Sequence, residues 1–153
     1  MKNHEIKDML CQHSRDIYIL QINNRLEFGK NIWSESEIDN IVKEKNSFCK
    51  VSYFKNRITG FCILSSSDDA LELYIIFVDP DFRNLGIAKS FLFQAKEYAK
   101  KKFFKKILLE VNENNIKAIS LYKKQDFFFS GKRKNYYYIK KKFIDAFLMQ
   151  LTI

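Results

Sequence analysis

The sequence predicts an α/β fold, and three observations carry this prediction. Three β-rich apolar runs at residues 48–54, 58–64 and 71–78 follow one another with short polar connections, which is typical of an antiparallel meander. A helical pattern then leads into a fourth β-rich run at 106–111, and a strand–helix–strand order favours a parallel pair. The 153 residues include 46% hydrophobic residues, one proline and four glycines, which excludes disorder and indicates regular elements in one domain, residues 1–153.

Two helices are predicted before the first strand. Residues 1 to about 24 carry an amphipathic helical pattern. Ser34 followed by Glu37 is a capping box, in which both side chains satisfy free N–H groups at a helix start. Trp33 precedes the cap and is expected to pack on Ile38 as a hydrophobic staple in the core. The alternative for Trp33 is the border of a substrate groove.

The stretch at residues 75–91 combines a strand end with a helix start. Asp79-Pro80 ends the strand, because proline lacks the N–H that a strand ladder needs. A helical face begins beyond Gly86, where the lack of a side chain lets the backbone approach a ligand. The first N–H groups of a helix have no intrahelical partner, so together with the helix dipole they favour an anion. The stretch predicts an anion site, and the alternative is an ordinary helix start.

The remaining pattern continues the alternation of strands and helices. Asn56 in the turn at 55–57 is suited to a positive φ. The helix that follows Gly86 is expected to end in three lysines at 100–102, where cations suit the dipole. A helix at about 115–124 follows the fourth strand, and residues 127–151 hold two more strand-like runs.

Charge is distributed unevenly along the chain. Residues 1–76 hold 10 Lys or Arg and 11 Asp or Glu, whereas residues 77–153 hold 17 and 7. The basic half contains the predicted anion site, which fits an anionic ligand or a polyanionic partner such as the ribosome. The alternative is a lysine-rich solvated face.

Other residue types exclude several kinds of site. Cys11, Cys49 and Cys62 are far apart without a CxxC pair, which favours reduced thiols in the cytoplasm. His4 and His13 have no metal-ligand spacing nearby, so no metal is expected. The sequence shows neither a signal-peptide pattern nor a long apolar run, so we expect a cytoplasmic protein without a membrane partner.

Glu110 is the one charged residue within the apolar run ILLEV. A carboxylate in a central strand is costly unless it is paired, hydrated or protonated. Burial disfavours the charged form, which suits a general base that must accept a proton near neutral pH. The alternative is a structural glutamate paired with one of the many lysines.

Twelve residues later, Tyr122 ends the string NIKAISLY; alone, such a tyrosine is more often a core residue. The whole string LEVNENNIKAISLYKKQDF resembles the LEV-x-x-x-N-x-x-A-I-x-L-Y-x-x-x-G-F segment of the GNAT superfamily of N-acetyltransferases. Arg83, Gly86 and Ala88 likewise fill the Q/R-x-x-G-x-G/A pyrophosphate loop of that family.

Further segments resemble one subgroup of the family, the RimI type, which acetylates the N-terminal alanine of a small-subunit ribosomal protein. Trp33-Ser34-Glu35 is similar to its P-W-S-E segment, and VDPDFRNLGIA is similar to its strand end and loop. KRKNYY at 132–137 resembles its R-R-N-Y-Y run, and AFLMQL follows at the distance of A-I-I-M-A-L. The resemblance runs from about residue 33 to the end of the chain.

The resemblance implies the GNAT fold, a mixed and mostly antiparallel central sheet of six to seven strands with about four helices packed on both faces. It implies that Glu110 is the general base, acting through a water, and that Tyr122 is the general acid that protonates the departing coenzyme A thiolate. It implies acetyl-CoA as cosubstrate and no metal.

The resemblance also implies binding residues. The main chain of Ile76, Phe77 and Val78 would hold the pantetheine arm, and the main chain of six loop residues would wrap the pyrophosphate: Asn84, Leu85, Gly86, Ile87, Ala88 and Lys89. Asn115 would hydrogen-bond the cofactor. The candidates for contact with the acceptor are Trp33, Asn135, Tyr136 and Tyr137.

The sequence departs from the family pattern at several positions. Asp126 stands where the family has the glycine of a G-F pair, so an aspartate must adopt any left-handed backbone there. Lys140, Lys141 and Lys142 replace the Asp-Gly turn of the last hairpin. We expect a strained residue at 126 and a differently shaped hairpin turn.

Three functions follow. The first is acetyl transfer from acetyl-CoA to the N-terminal α-amine of a protein, namely the alanine of a small-subunit ribosomal protein, with no direct role for nucleic acid. The second is acetyl transfer to lysine side chains or small amines, which acidic residues in the acceptor groove would favour. The third is a non-catalytic basic module that binds ribosomal RNA, which needs neither Glu110 nor Tyr122.

Overall fold

The computed structural model describes residues 3–153 and contains seven strands and five α-helices. The strands are β1 (Glu5–Asp8), β2 (Phe48–Phe54), β3 (Arg57–Ser67), β4 (Ala70–Val78), β5 (Lys106–Asn112), β6 (Phe128–Ile139) and β7 (Lys142–Thr152). The helices are α1 (Ser14–Asn23), α2 (Arg25–Phe28), α3 (Glu35–Lys43), α4 (Ile87–Lys101) and α5 (Ile116–Lys124). One sheet has the order β1-β2-β3-β4-β5-β7-β6. The pair β4–β5 is parallel and the pairs β1–β2, β2–β3, β5–β7 and β6–β7 are antiparallel, which confirms the predicted mixed α/β class.

The described chain divides into two compact units. The first unit comprises the described residues up to Ser65 together with Tyr74–Ala95, and the second comprises Ser66–Leu73 and Lys96–Ile153. Strand β4 and helix α4 each contribute residues to both units. The expectation of one domain over residues 1–153 stays a prediction.

The first unit has an apolar core between its helices and the β2–β3 hairpin. Ile17 of α1 and Ile38 of α3 are fully buried in the same cluster as Val51 and Phe61 of the hairpin. The capping box of α3 is confirmed, since the Ser34 hydroxyl accepts the N–H of Glu37 and the Glu37 carboxylate accepts the N–H of Ser34. Trp33 is half-buried and packs against this cluster.

A buried glutamine of α1 hydrogen-bonds to the main chain just before α3. Gln21 is 0% exposed, and its carboxamide donates to the carbonyl of Trp33 at 3.0 Å and accepts the N–H of Trp33 at 2.9 Å. A buried polar side chain is stabilising only when its groups are paired. The contact fixes the start of α3 beside α1.

The prediction of a helix over residues 1–24 is wrong for the described residues before the helical turn at Cys11–His13. Strand β1 pairs with β2 in antiparallel register, with Ile6 opposite Ser52. The reason is tertiary: four residues form a strand because an open edge of β2 offers ladder hydrogen bonds, which local periodicity does not reveal. Met1 and Lys2 lie outside the described residues.

The turn of the β2–β3 hairpin also differs from expectation. Lys55 has a φ of +55°, whereas Asn56 is not among the residues with positive φ. A two-residue turn with positive φ only at its first position is a type II′ turn. The residue that must adopt a positive φ is therefore Lys55, one position earlier than predicted. Further along β3, a Cβ built at Gly60 would lie 2.7 Å from the carbonyl oxygen of Phe77, so glycine permits the close approach of β4.

The second unit contains the parallel pair and the last hairpin. Ala70 lies opposite Lys106 and Leu73 opposite Leu109, which confirms the predicted parallel pairing of β4 and β5. Beyond β5 and α5, Asp126 has a φ of +68°, so the strained position predicted from the missing glycine is confirmed. The β6–β7 hairpin closes through Lys140 and Lys141, whose φ angles are +50° and +62°.

Candidate functional site

A buried aspartate in the first unit fixes the end of β4. Asp79 is 5% exposed, and its carboxylate accepts the N–H of Asp81 at 3.0 Å and pairs with Arg57 Nη2 at 2.5 Å. The N–H of Asp79 donates to the carbonyl of Thr59 at 2.8 Å. The main chain at residues 76–78, the predicted pantetheine site, is therefore anchored to β3.

Arg83 links the end of β4 to helix α2. Its Nε donates to the carbonyl of Val78 at 2.9 Å, and its Nη2 donates to both carboxylate oxygens of Glu27, at 2.8 and 2.6 Å. The guanidinium also lies 5.7 Å from the centre of the Phe77 ring. The sequence pattern placed Arg83 in the anion loop, but it gave no sign of Glu27, which is 56 residues away.

The loop before α4 has a left-handed backbone at two positions. Asn84 has a φ of +61° and Gly86 a φ of +81°. A Cβ built at Gly86 would meet nothing within 4 Å, so the space beside it is open and its φ alone favours glycine. The carbonyl of Gly86 accepts the N–H of Ser90 at 2.9 Å, as α4 begins. The six predicted residues therefore comprise a short loop, 84–86, and the start of α4, 87–89. The first N–H groups of a helix have no intrahelical acceptor.

Trp33, predicted as an acceptor contact, lies in the first unit beside another aromatic residue. Its ring centre is 6.0 Å from that of Tyr74, which is 47% exposed. Trp33 is itself half-buried and packs against the apolar core of the first unit.

Glu110 lies in the second unit on the more open face of β5. Ile107, Leu109 and Val111 are buried on the other face, while the Glu110 side chain is 30% exposed. One carboxylate oxygen lies 2.9 Å from Nη2 of Arg133, so the partner is an arginine of β6 rather than a lysine. Tyr136 also hydrogen-bonds to the Glu110 carboxylate.

A bulge in β6 brings Tyr136 to Glu110. The β6–β7 register shifts between Arg133 and Tyr137, and within the shift Asn135 has a φ of +54°. The N–H of Asn135 donates to the carboxylate of Asp145 at 2.8 Å, across the hairpin. Residues 134–136 lie opposite Asp145 alone, so β6 carries two extra residues, which bend the strand and re-aim its side chains. The Asp145 carboxylate stabilises this bulge.

Asp145 is itself part of a small charged cluster. Lys132 Nζ lies 2.9 Å from Asp145 and 3.5 Å from Glu113, and Glu113 accepts the N–H of Asp145 at 3.2 Å. The hydrogen bond from Asn135 and the contact with Lys132 lower the pKa of Asp145. Asp145 therefore remains an anion that holds the bulge at neutral pH.

The two tyrosines after the bulge form an edge-to-face pair, with ring centres 5.0 Å apart and planes at 86°. The hydrogen bond to Glu110 and burial raise the pKa of Tyr136. Burial, together with Tyr136 and Glu110, raises the pKa of Tyr137. Both phenols stay neutral at pH 7 and are hydrogen-bond donors beside the carboxylate.

Helix α5 carries the two remaining predicted residues. The Asn115 carboxamide oxygen caps the helix by accepting the N–H of Ala118 at 3.2 Å, so its NH₂ group is the part left to serve a ligand. Ile116, the next residue, lines a groove of about 560 Å³ along the helix. Tyr122 is 5% exposed, with its ring 5.7 Å from that of Phe127.

The structure brings some of the predicted site residues together. Within the second unit, Glu110 lies with Tyr136 and Tyr137, both predicted as acceptor contacts. Arg133 and Asp145 were not predicted as parts of this cluster, because ion pairs across a bulged hairpin depend on register. The sequence signal that could have revealed this cluster is Asp145, the single acidic residue in β7, together with the basic run at residues 132–134.

Two further features are absent from the described residues, 3–153. No group of three or more His, Cys, Asp or Glu side chains there is arranged to hold a metal ion. None of the helices described in that range is long and apolar enough to cross a membrane.

The amino-acid sequence is similar to those of known acetyltransferases. The sequence profile of the acetyltransferase (GNAT) family matches residues 11–127. The [ribosomal protein bS18]-alanine N-acetyltransferase of Salmonella typhimurium is 32% identical over 98 residues, 64% of this chain and 66% of that protein. The enzyme of the same name from Escherichia coli is 31% identical over 97 residues, 63% and 66% of the two chains. The matched part thus spans just under two thirds of the length of these relatives.

Solved structures share the fold along the whole chain. The crystal structure of the ribosomal-protein-S18-alanine N-acetyltransferase from Escherichia coli has a TM-score of 0.85 at 23% identity, covering 99% of this chain and 94% of that one. A GNAT-family acetyltransferase from Streptococcus pneumoniae has a TM-score of 0.87 at 20% identity, with coverages of 99% and 100%. At these identities the likeness establishes a common fold.

Proposed function

Because the chain belongs to the acetyltransferase (GNAT) family, we propose that it transfers an acetyl group from acetyl-CoA to the N-terminal α-amine of a protein. The observation that carries the proposal is the environment of Glu110, a partly exposed carboxylate in a middle strand with two tyrosines beside it. Its relatives named for the alanine of ribosomal protein bS18 support a ribosomal protein as the acceptor.

Acetyl-CoA supplies the activated acetyl thioester. Its pyrophosphate is expected at residues 84–89, where the open space beside Gly86 and the free N–H groups of the α4 start fit an anion. Its pantetheine arm is expected along the main chain of Ile76, Phe77 and Val78, which Asp79 anchors to β3. The NH₂ group of Asn115 is a further donor.

Glu110 is proposed as the general base. It removes a proton from the acceptor ammonium through a water, for which its 30% exposed side chain is accessible. An α-ammonium has a reference pKa of about 8, whereas that of lysine is about 10.4, so an α-amine is the easier group to deprotonate near neutral pH. Arg133 and Tyr136 fix the direction of the carboxylate.

Tyr122 is proposed as the general acid. A phenol with a reference pKa of about 10 is a weaker acid than a thiol of about 8.5, so the proton transfer is uphill by about 2 kcal/mol and is driven by the charge that builds on the departing sulfur. Packing against Phe127 and near-complete burial hold the ring in one orientation. The oxygen of the acetyl group requires a donor as well, and an N–H near Val78 is the candidate.

The surroundings of the acceptor candidates favour an α-amine over a lysine side chain. An acidic groove would favour lysine, but the carboxylates near Asn135, those of Asp145 and Glu113, are both paired with Lys132. Apart from its partner Arg133, the groups beside Glu110 are the neutral Tyr136 and Tyr137. Trp33 remains a proposed contact on the acceptor side.

The test uses purified protein, acetyl-CoA and two matched peptides. One peptide begins with a free alanine, and the other has a blocked N-terminus and one internal lysine. We expect acetylation of the first, detected by mass spectrometry. A preference for the lysine peptide would refute the proposed acceptor.

The catalytic assignment is tested by substitution. Glu110→Gln should lower kcat by about 10² to 10⁴-fold, the range for loss of a general base, while the affinity for coenzyme A is retained. Glu97→Gln, which removes an exposed carboxylate paired with Lys100, is the matched control and should leave kcat unchanged. Unchanged turnover in Glu110→Gln would contradict the assignment of the base.

A further inference from the structure

The β6–β7 hairpin ends in an aromatic pair that the proposed acetyl transfer does not use. We call residues 138–143 the hairpin tip. Tyr138 and Phe143 are cross-strand partners with ring centres 5.0 Å apart, and they are 63% and 64% exposed. Two large rings that are exposed side by side contribute little to a core, so they present an apolar surface for a ligand.

The hairpin tip also carries uncompensated positive charge. Lys140, Lys141 and Lys142 follow one another, and no ion pair involves any of them within residues 3–153. The other basic residues of the hairpin contrast with them, since Lys132 pairs with Asp145 and Arg133 with Glu110. The tip is therefore the part of the hairpin whose charge is available to an anionic partner.

The turn itself is not the one that stability favours. Lys140 and Lys141 both have positive φ, which in a two-residue hairpin turn is best served by Asn-Gly. A lysine with a Cβ is strained in this region. Two strained and exposed lysines in the turn indicate a use of their charge rather than a contribution to folding.

We propose that the hairpin tip binds single-stranded RNA. The three lysines would contact successive phosphates, and Tyr138 with Phe143 would stack on an unpaired base. An acidic peptide would use the charges but would leave the aromatic pair without a partner. A duplex would hide its base faces, whereas loops and single strands of RNA present them.

This binding is separate from acetyl transfer. Glu110, Tyr122 and the proposed acceptor contacts lie outside residues 138–143, although Tyr137 adjoins Tyr138 in β6. RNA binding extends the proposed function and departs from the expectation of no direct role for nucleic acid; the failure of either proposal leaves the other standing.

The experiment measures fluorescence anisotropy of a labelled oligouridine of about twelve nucleotides, within the site sizes of single-strand binders, at several salt concentrations. We expect binding by the full chain that weakens with salt. Lys140→Asn/Lys141→Gly installs the favoured turn, so the fold is retained while two charges are lost. The slope of log affinity against log salt should then fall by about 1.4, since each phosphate contact in a single strand contributes about 0.7.

The aromatic pair is tested separately. Tyr138→Ser/Phe143→Ser should weaken binding about tenfold, as expected for the loss of one stacked base. Lys101→Gln/Lys102→Gln, two exposed lysines at and beyond the end of α4, is the matched control and should bind as the wild type does. Acetylation of a free peptide should be unchanged in Lys140→Asn/Lys141→Gly.

Four results would overturn the proposal. The first is an equal loss in the control and the turn variant, which would mean that only the overall charge matters. The second is equal affinity for duplex RNA, which would exclude stacking. The third is displacement of the RNA by polyglutamate at matched charge concentration, which would indicate an acidic protein partner. The fourth is a dimer in light scattering that Tyr138→Ser/Phe143→Ser dissociates, since the tip would then contact a second copy.

Discussion

Gly60→Ala should damage both the stability and the proposed cofactor site of the first unit. The added Cβ would lie 2.7 Å from the carbonyl oxygen of Phe77 and 3.3 Å from Cα of Val78. Ordinary contact begins at 3.4 Å, and a backbone oxygen cannot rotate away as a side chain can. Strand β4 must shift, and overpacking of this kind costs about 1–3 kcal/mol.

The second effect is on the binding of coenzyme A. The strand that must shift carries the main-chain groups of residues 76–78, which are proposed to hold the pantetheine arm. Because displacement of positioning groups by a fraction of an ångström weakens a site strongly, we expect about tenfold weaker binding. Both effects arise from one contact.

Thermal unfolding and calorimetric titration with coenzyme A measure the two effects. Gly131→Ala is the matched control, because its Cβ would meet only the flexible end of Leu148, at 3.2 Å. The melting temperature of Gly60→Ala should fall by roughly 2–12 °C, at about 2–4 °C for each kcal/mol in a chain of this size. If the two variants matched each other in melting temperature and affinity, the role of the β3–β4 approach would be refuted.

Three further predictions concern single residues. Burial lowers the pKa of His13 below 6.5, and the neutral ring accepts the N–H of Leu10 at Nδ1, so the unfolded chain binds the proton more readily than the folded chain. The free energy of unfolding, measured in urea titrations, should therefore fall on going from about pH 7.5 to 5.5. His13→Gln should flatten this dependence. Asp126→Gly should raise the melting temperature by relieving a left-handed aspartate, a gain of about 1 kcal/mol; a decrease would show that its contact with Lys96 outweighs the strain. Ser34→Ala removes the cap of α3 and should cost about 1 kcal/mol in chemical denaturation, whereas Ser34→Thr should retain it; equal stabilities would contradict the cap.

The fold features that the sequence predicted are those with local causes. The start of α3 follows from Ser34 and Glu37, which are three residues apart, and the end of β4 follows from the proline after Asp79. Strand β1 was missed because its formation depends on the edge of β2, more than forty residues away. A positive φ was predicted for Asn56, but in the β2–β3 hairpin it occurs at Lys55.

The residues of the candidate site also divide into those with a local sequence signal and those that depend on distant parts of the chain. Glu110 could be predicted as a candidate because a charged residue within an apolar run stands out in the sequence, and its neighbour Tyr136 because of its family pattern; the roles of both stay predictions. Arg133 and the bulge stabilised by Asp145 depend on which residues of β6 and β7 face one another. Two extra residues in β6 change that register, and nothing in the local pattern marks their position.

The two hydrogen bonds between Gln21 and Trp33 have a consequence for how this chain can vary. They close a loop of which both ends are fixed, and α2 within it is held by two further contacts: Arg83 binds Glu27, and Phe28 packs on the core. The entropy of closing a loop grows slowly with its length, by about 0.6 kcal/mol for each doubling. Changes of length should therefore be tolerated best at the exposed residues 29–31, where Glu27 and Phe28 keep their contacts. Gln21 then holds α1 and the start of α3 together while the segment between them varies.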